Sequence, residues 1–279
     1  MVKIKTFYIE KMDKHKLFGK KIEIQNDNIK IWCDLEKEKN IKKLINKIFK
    51  NDVNTVILDK TLWKCEKLVN TLYSNDIKIF DGRWLEKHMA IDILNYIISK
   101  KEIIKAETEM AITVNEITEL SIELIKMLAK QYKKLVVVTN HIEKLRKIEK
   151  EIHEKEGILI IVSNNKSKSL MKSQIILNMD FNKELLNQYK IFDEAIIINI
   201  EGDMKIDSIR FQGIIINDYE IETGRKDIIW REDYQKYNEK DLLEANLYAR
   251  DTFKNIRKKI QKSNISIKSL YGINGIINL

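Results

Sequence analysis

Six apolar runs recur between Met110 and Asn217: MAITVN, KLVVVTN, ILIIVSN, QIILNMD, AIIINI and GIIIN. They are rich in Ile and Val and do not alternate with polar residues, as expected of strands covered on both faces of a parallel sheet. The segment after the first run carries Ile117, Leu120, Leu124, Met127, Leu128 and Tyr132 at helical spacing. The segment after the second carries Ile142, Leu145, Ile148 and Ile152 and stops at Gly157, where a helix C-terminal glycine belongs. Strand–helix–strand units of this kind cross over right-handed. The expected fold class is therefore α/β, a Rossmann-like doubly wound parallel sheet accompanied by a smaller N-terminal α/β domain.

The N-terminal part reads as a β-hairpin in IEIQNDNIKIW, then a helix with Ile41, Leu44, Ile45 and Ile48 on one face. Strand TVILD, helix LWKCEKLVNTLY and strand IKIFD follow. WLEKHMAIDILNYIISKK is apolar around most of its girth, which marks a buried connector helix. From Asp218 to Asn238 no period is evident, so a loop-rich return is expected, followed by one helix over EKDLLEANLYARDTFKNIRKKIQK and a short tail. The expected division is residues 1–105 for the N-terminal domain and connector, 106–225 for the Rossmann-like domain, and 226–279 for a helical return packing near the first domain.

The 279 residues are 44% hydrophobic, enough for a sizeable core, and lack proline altogether. A net charge of +9 admits nucleic acid or another acidic partner. Yet the lysines interleave with Glu, as in EKLRKIEKEIHEKE, the pattern of solvated helix faces, and nucleic acid is the less favoured partner. The start, MVKIKTFYIEKMDK, has no apolar export region, and no run is long enough to span a bilayer, so a cytoplasmic protein without a membrane partner is expected. Cys33 and Cys65 show no metal-ligand spacing with the four histidines, and Cys65 reads as a buried thiol on a helix face with Leu62, Leu68, Val69 and Leu72. No metal is expected.

Ligands of open parallel sheets bind at the carboxyl ends of the strands. Here those ends repeat asparagine: Asn115, Asn140, Asn164, Asn178, Asn199 and Asn217. They could line a crevice for a polar ligand, although asparagine is also favoured there as a helix cap and turn residue. A dinucleotide site needs glycines after its first strand, but this chain has VNEITELS, with Glu116 and Glu119 where phosphate charge would lie. Asn140-His141 follows the second strand, where an NAD site usually places an acidic ribose ligand. The better anion candidate is the loop SNNKSKS, with Asn164, Lys166 and Ser167 at an expected helix start. Strand ends of the first domain supply Asp59-Lys60 and Asp81-Gly82, and His88 and Asp92 stand four apart on the connector helix, a spacing that suits an acid–base pair.

The order of elements, with Lys60 after one first-domain strand and the Asp81-Gly82 step before the connector helix, is similar to the shikimate/quinate dehydrogenase type of two-domain enzyme. That resemblance implies NAD(P), and proton transfer by a lysine and an aspartate in the places of Lys60 and Asp81. The family's glycine-rich nucleotide loop is absent. The favoured expectation is accordingly a non-catalytic or regulatory Rossmann-like protein with a degenerate nucleotide site and no cofactor. Two alternatives stand beside it, an NAD(P)-dependent oxidoreductase and a basic protein that binds nucleic acid or an acidic partner. The ligand itself is left open, a small polar or anionic molecule at the strand ends being the candidate.

Overall fold

Contacts divide the chain inside its longest helix, after Leu85, in the computed structural model, which describes residues 5–12, 21–157, 159–200, 202–224, 234–248 and 251–279. One unit comprises Met1–Leu85 with Arg225–Tyr248, the other Glu86–Gly224 with Ala249–Leu279. The segment expected to return to the first domain is thus shared between the two.

The first unit is built on five strands: β1 (Thr6–Lys11), β2 (Ile22–Gln25), β3 (Asn28–Ile31), β4 (Thr55–Leu58) and β5 (Lys78–Ile79). Their order is β2-β3-β1-β4-β5, parallel except for β2, which forms the expected hairpin with β3. β1 is central, although no element was expected there. Its lysine-rich surroundings hide a short alternation in which Phe7 and Ile9 are buried. Helix α1 (Glu38–Phe49) buries Ile41, Leu44, Ile45 and Ile48 against the core of this unit, as its spacing requires. The expected helix over LWKCEKLVNTLY breaks: a 3-10 turn at Leu62–Lys64 precedes α2 (Glu66–Ser74), and Cys65 caps α2 half-buried instead of lying within a helix face. Cys33 is the buried thiol.

Helix α3 (Arg83–Lys100) carries the chain out of the first unit. The second unit then lays down β6 (Glu109–Thr113), α4 (Glu119–Ala129), β7 (Lys134–Val138), α5 (Ile142–Glu156), β8 (Ile161–Ser163), β9 (Ile175–Asn178), α6 (Lys183–Leu186), β10 (Ile196–Asn199) and β11 (Ile214–Ile216). The six strands are all parallel, in the order β11-β10-β9-β6-β7-β8. Counted from β6 this is 3-2-1-4-5-6, the order of a Rossmann sheet, with the reversal between β6 and β9. Every residue of β9 and β10 is buried, which accounts for their unbroken apolar runs. Gly157 closes α5 in the left-handed region at φ 67°. Gly213 is held by crowding, since a β-carbon there would come within 2.1 Å of the Ala195 carbonyl oxygen.

Beyond β11 the chain departs from expectation. Residues 218–223 are β12 (Asp218–Thr223), while residues 225–233 of the expected loop lie outside the described residues. The single helix expected after them is two: α7 (Glu239–Leu247) in the first unit and α8 (Phe253–Lys262) in the second. Tyr248 leaves the helical region at ψ 120°, and Thr252 starts the second helix by accepting the Asn255 N–H on its side chain. The tail is not irregular. β13 (Ile265–Gly272) pairs antiparallel with β12 and with β14 (Gly275–Ile276). Among the described residues no helix is long and apolar enough to cross a membrane.

Candidate functional site

The carboxyl edge of the Rossmann sheet is where a ligand would enter, and its first turn links β6 to α4. Such a turn directs backbone N–H groups at a dinucleotide pyrophosphate. Here those groups already have an acceptor. The Asn115 N–H is shared between the two carboxylate oxygens of Asp180, at 2.8 and 2.9 Å, and the Glu116 N–H donates to Oδ2 at 2.6 Å. Asp180 follows β9, the strand beside β6, so the sheet order itself brings it to this loop. Burial pushes its carboxyl pKa up, while the N–H donors of Glu116 and Asn115 oppose that shift.

The helix start behind this loop is equally self-contained. Thr118 accepts the Ser121 N–H at 3.2 Å, and Ser121 Oγ accepts the Thr118 N–H at 2.8 Å, a reciprocal cap. Thr118 is therefore the cap; Glu119 occupies the first turn and Glu116 lies ahead of it. Asn115 spends its side-chain oxygen on the Asn140 N–H at 2.9 Å, tying the ends of β6 and β7 together.

The other strand-end asparagines form a ladder. Asn178 accepts Thr113 Oγ1 at 2.5 Å and the Phe181 N–H at 3.1 Å, and donates to Asn199 Oδ1 at 2.7 Å. Asn199 donates to Asn217 Oδ1 at 3.0 Å, and Asn217 closes a backbone loop by bonding both the N–H and the carbonyl of Met204. Asn178 and Asn199 are fully buried. These amides bind one another and their own loops, a use distinct from helix capping.

Of the remaining candidates on this edge, Asn140, Asn164, Lys166 and Ser167 are exposed. No helix starts at SNNKSKS: the segment is a turn organised by Asn165, whose side-chain oxygen accepts the N–H groups of Ser167 (3.0 Å) and Lys168 (3.1 Å). The Lys166 ammonium is bonded to Gln188 Oε1. On α3, the Asp92 carboxylate is held by Arg257 of α8, with Nη2 to Oδ1 at 3.0 Å and a second contact from Nη1 to Oδ2. Arg257 also donates to the His88 carbonyl at 2.9 Å, and the buried His88 ring stacks on Phe253.

Within the first unit, Lys60 and Asp81 follow the adjacent parallel strands β4 and β5. The Lys60 ammonium donates to the Gln235 carbonyl at 3.0 Å, and its backbone N–H donates to the Lys236 carbonyl at 2.9 Å. Asp81 accepts the Tyr73 hydroxyl at 3.2 Å and the Arg83 N–H at 3.0 Å, and Gly82, at φ 83°, reverses the chain into α3. Two carboxyl groups that the sequence did not single out stand on α7. Asp241 and Glu244 are both fully buried, and burial pushes each pKa up to about 7, with the Asp81 charge adding to both shifts. Asp241 accepts Asn238 Nδ2 at 3.0 Å, and Glu244 Oε1 is 3.5 Å from the Lys78 ammonium. Their place on a short, weakly patterned helix gave no signal beyond carboxylates at i and i+3 beside Leu242, Leu243 and Leu247.

No protein-family model matches the chain, and no curated protein matches it. Among solved structures it is similar to an L-tryptophan dehydrogenase from Nostoc punctiforme, at 10% identity and a TM-score of 0.34, over 85% of this chain and 68% of that one. It is similar to a putative malic enzyme (malate oxidoreductase) at 14% identity and a TM-score of 0.35, over 85% and 67%. A chorismate mutase/shikimate 5-dehydrogenase fusion protein from Clostridium acetobutylicum matches at 10% identity and a TM-score of 0.27, over 93% and 98%. The likeness is a remote, Rossmann-type one. The fold assignment rests on the strand order of the sheet, and no functional residue is carried over from these proteins.

Proposed function

We propose that this chain is a Rossmann-like two-domain protein that binds no dinucleotide and acts as a non-catalytic, regulatory or ligand-binding protein. The observation that carries the proposal is Asp180. A carboxylate already bonded to the N–H groups of Asn115 and Glu116 occupies the acceptor position that a pyrophosphate would need. To bind there, a phosphate would have to displace charge-assisted hydrogen bonds and face Asp180 and Glu116 together. No cofactor is therefore assigned. A thermal-shift panel of NAD, NADP and FAD tests this on a chain carrying Lys43→Gln/Lys47→Gln, which removes basic side chains of α1 that could attract phosphate away from this turn; a cofactor at one hundred times its Kd adds about 2.7 kcal/mol to stability. No shift is expected with any of the three. A saturable shift with one of them would overturn the proposal.

A second reading, an oxidoreductase of the shikimate dehydrogenase-like type, is favoured by one feature of the first unit. Lys60 and Asp81 follow adjacent strands, and the Asp81 charge adds to the burial that raises the Asp241 and Glu244 pKa values to about 7. Groups that exchange protons near neutral pH suit acid–base chemistry. Hydride transfer to NAD(P) from any hydroxy acid, lost in Lys60→Ala and Asp81→Asn, would establish it.

A further inference from the structure

The first unit holds a second concave surface, apart in sequence from the candidate site residues described above. A cavity of about 660 Å³ opens between α1 and the start of β2. Four lysines line it, Lys21, Lys43, Lys47 and Lys50, together with Asn40 and, at its floor, the buried Cys33. Asn40, Lys43 and Lys47 follow one another at three- and four-residue steps, so they share one stripe of α1 beside its core face, and Lys50 continues it at the helix C-cap. Its volume is in the range of small-molecule sites.

The charge at this cavity is unbalanced. No carboxylate lines it, and none of the four ammonium groups has an acidic partner among the described residues. By contrast, Lys42 of the same helix pairs with Glu38, and on α5 Lys150 pairs with Glu154 and Lys155 with Glu151. The positive charge reaches the floor, where burial pushes the Cys33 thiol pKa up, Lys21 and Lys43 pull against it, and Asp34 adds a smaller upward push. Two lysines near the end of α1 also complement the helix dipole, which accounts for Lys47 and Lys50 but not for Lys21 and Lys43. Convergent, unneutralised ammonium groups around a concavity raise the local concentration of anions.

We propose that this cavity binds a small ligand carrying two or more phosphoryl groups. Lysine serves such groups as a point charge that adjusts to several phosphate oxygens. The amide of Asn40 supplies a neutral donor beside them, and the clustering of the four ammonium groups around one open concavity suits a compact polyanion.

The test is isothermal titration calorimetry of the full chain with inorganic pyrophosphate at moderate salt. It is repeated on Lys43→Gln/Lys47→Gln and on the control Lys150→Gln/Lys155→Gln, whose lysines lie on α5. One-site saturable binding is expected for the native chain and the control. In the α1 variant it should be about a hundredfold weaker, roughly tenfold for each ammonium group removed. Both double variants replace surface lysines and should keep the native melting temperature. Absence of saturable binding would overturn the proposal, and so would equal weakening in both variants. Tighter binding of a single-stranded oligonucleotide that pyrophosphate fails to displace would overturn it in favour of a nucleic-acid surface.

Discussion

At the scale of single residues, the chemistry of this chain is set by carboxylates whose places were not legible in the sequence. Asp180 is the first. Removing its charge while keeping its shape, as in Asp180→Asn, leaves one amide oxygen to serve the N–H groups of Asn115 and Glu116. A loss of about 1–2 kcal/mol is expected in urea denaturation, the usual cost of weakening a half-buried charge-assisted contact. An unchanged midpoint would show that the carboxylate does not hold the loop. Asp241 and Glu244 are the second case. Their folded pKa values of about 7 stand above the ordinary values of 3.8 and 4.5, so the folded chain binds more protons than the unfolded one between those limits. Their contribution is fully present below about pH 4 and is lost as pH rises through about 7. The native chain should therefore lose melting temperature between pH 5 and pH 8 by more than Asp241→Asn/Glu244→Gln does. Equal losses in the two proteins would contradict the assignment. The sequence carried part of this information. QIILNMD places an acid just after the fourth strand of the sheet, and in a Rossmann order that strand neighbours the first. Recognising Asp180 required joining the strand order to the loop, whereas the burial of Asp241 and Glu244 depends on packing that no local pattern encodes.

At the scale of elements, strands covered on both faces were the most legible, because continuous apolar runs have few other uses. All six runs of the Rossmann sheet, the hairpin β2–β3 and the strands β4 and β5 lie where hydrophobicity places them. Val137 is fully buried on β7, which lies between β6 and β8, and Val137→Asp should abolish cooperative unfolding by putting an unpaired charge on a covered face of the sheet. A soluble Val137→Asp chain with a sharp thermal transition would refute that placement. Elements defined by single polar residues were less legible. One helical period runs through Glu239–Lys262, yet the backbone turns at Tyr248 and Thr252 caps a new helix, because a side-chain oxygen can satisfy N–H groups that a continuous helix would have paired. The asparagine ladder is of the same kind. Its residues were visible at the strand ends, but their mutual bonds follow from register, where Asn178 stands opposite Asn199. Asn178→Leu should cost about 2–4 kcal/mol, since Thr113, Phe181 and Asn199 each lose a buried partner. A variant as stable as the native chain would leave the ladder without a structural role.

At the scale of the whole molecule, the sequence and the fold agree on a Rossmann-like sheet accompanied by a smaller α/β unit, and the account turns on whether that sheet still receives a dinucleotide. Architecture argues for it and the first turn argues against it; the turn is the more specific, because affinity for pyrophosphate resides in free N–H groups and not in strand order. The basic cavity of the first unit could itself attract the phosphates of a cofactor. The decisive measurement is therefore made in the Lys43→Gln/Lys47→Gln background. NADH and NADPH are titrated to millimolar concentration, with binding followed by nicotinamide fluorescence. No saturable change is expected with either cofactor. Saturable binding of NADH or NADPH would contradict the account, showing that the Asp180 contact opens to admit a dinucleotide.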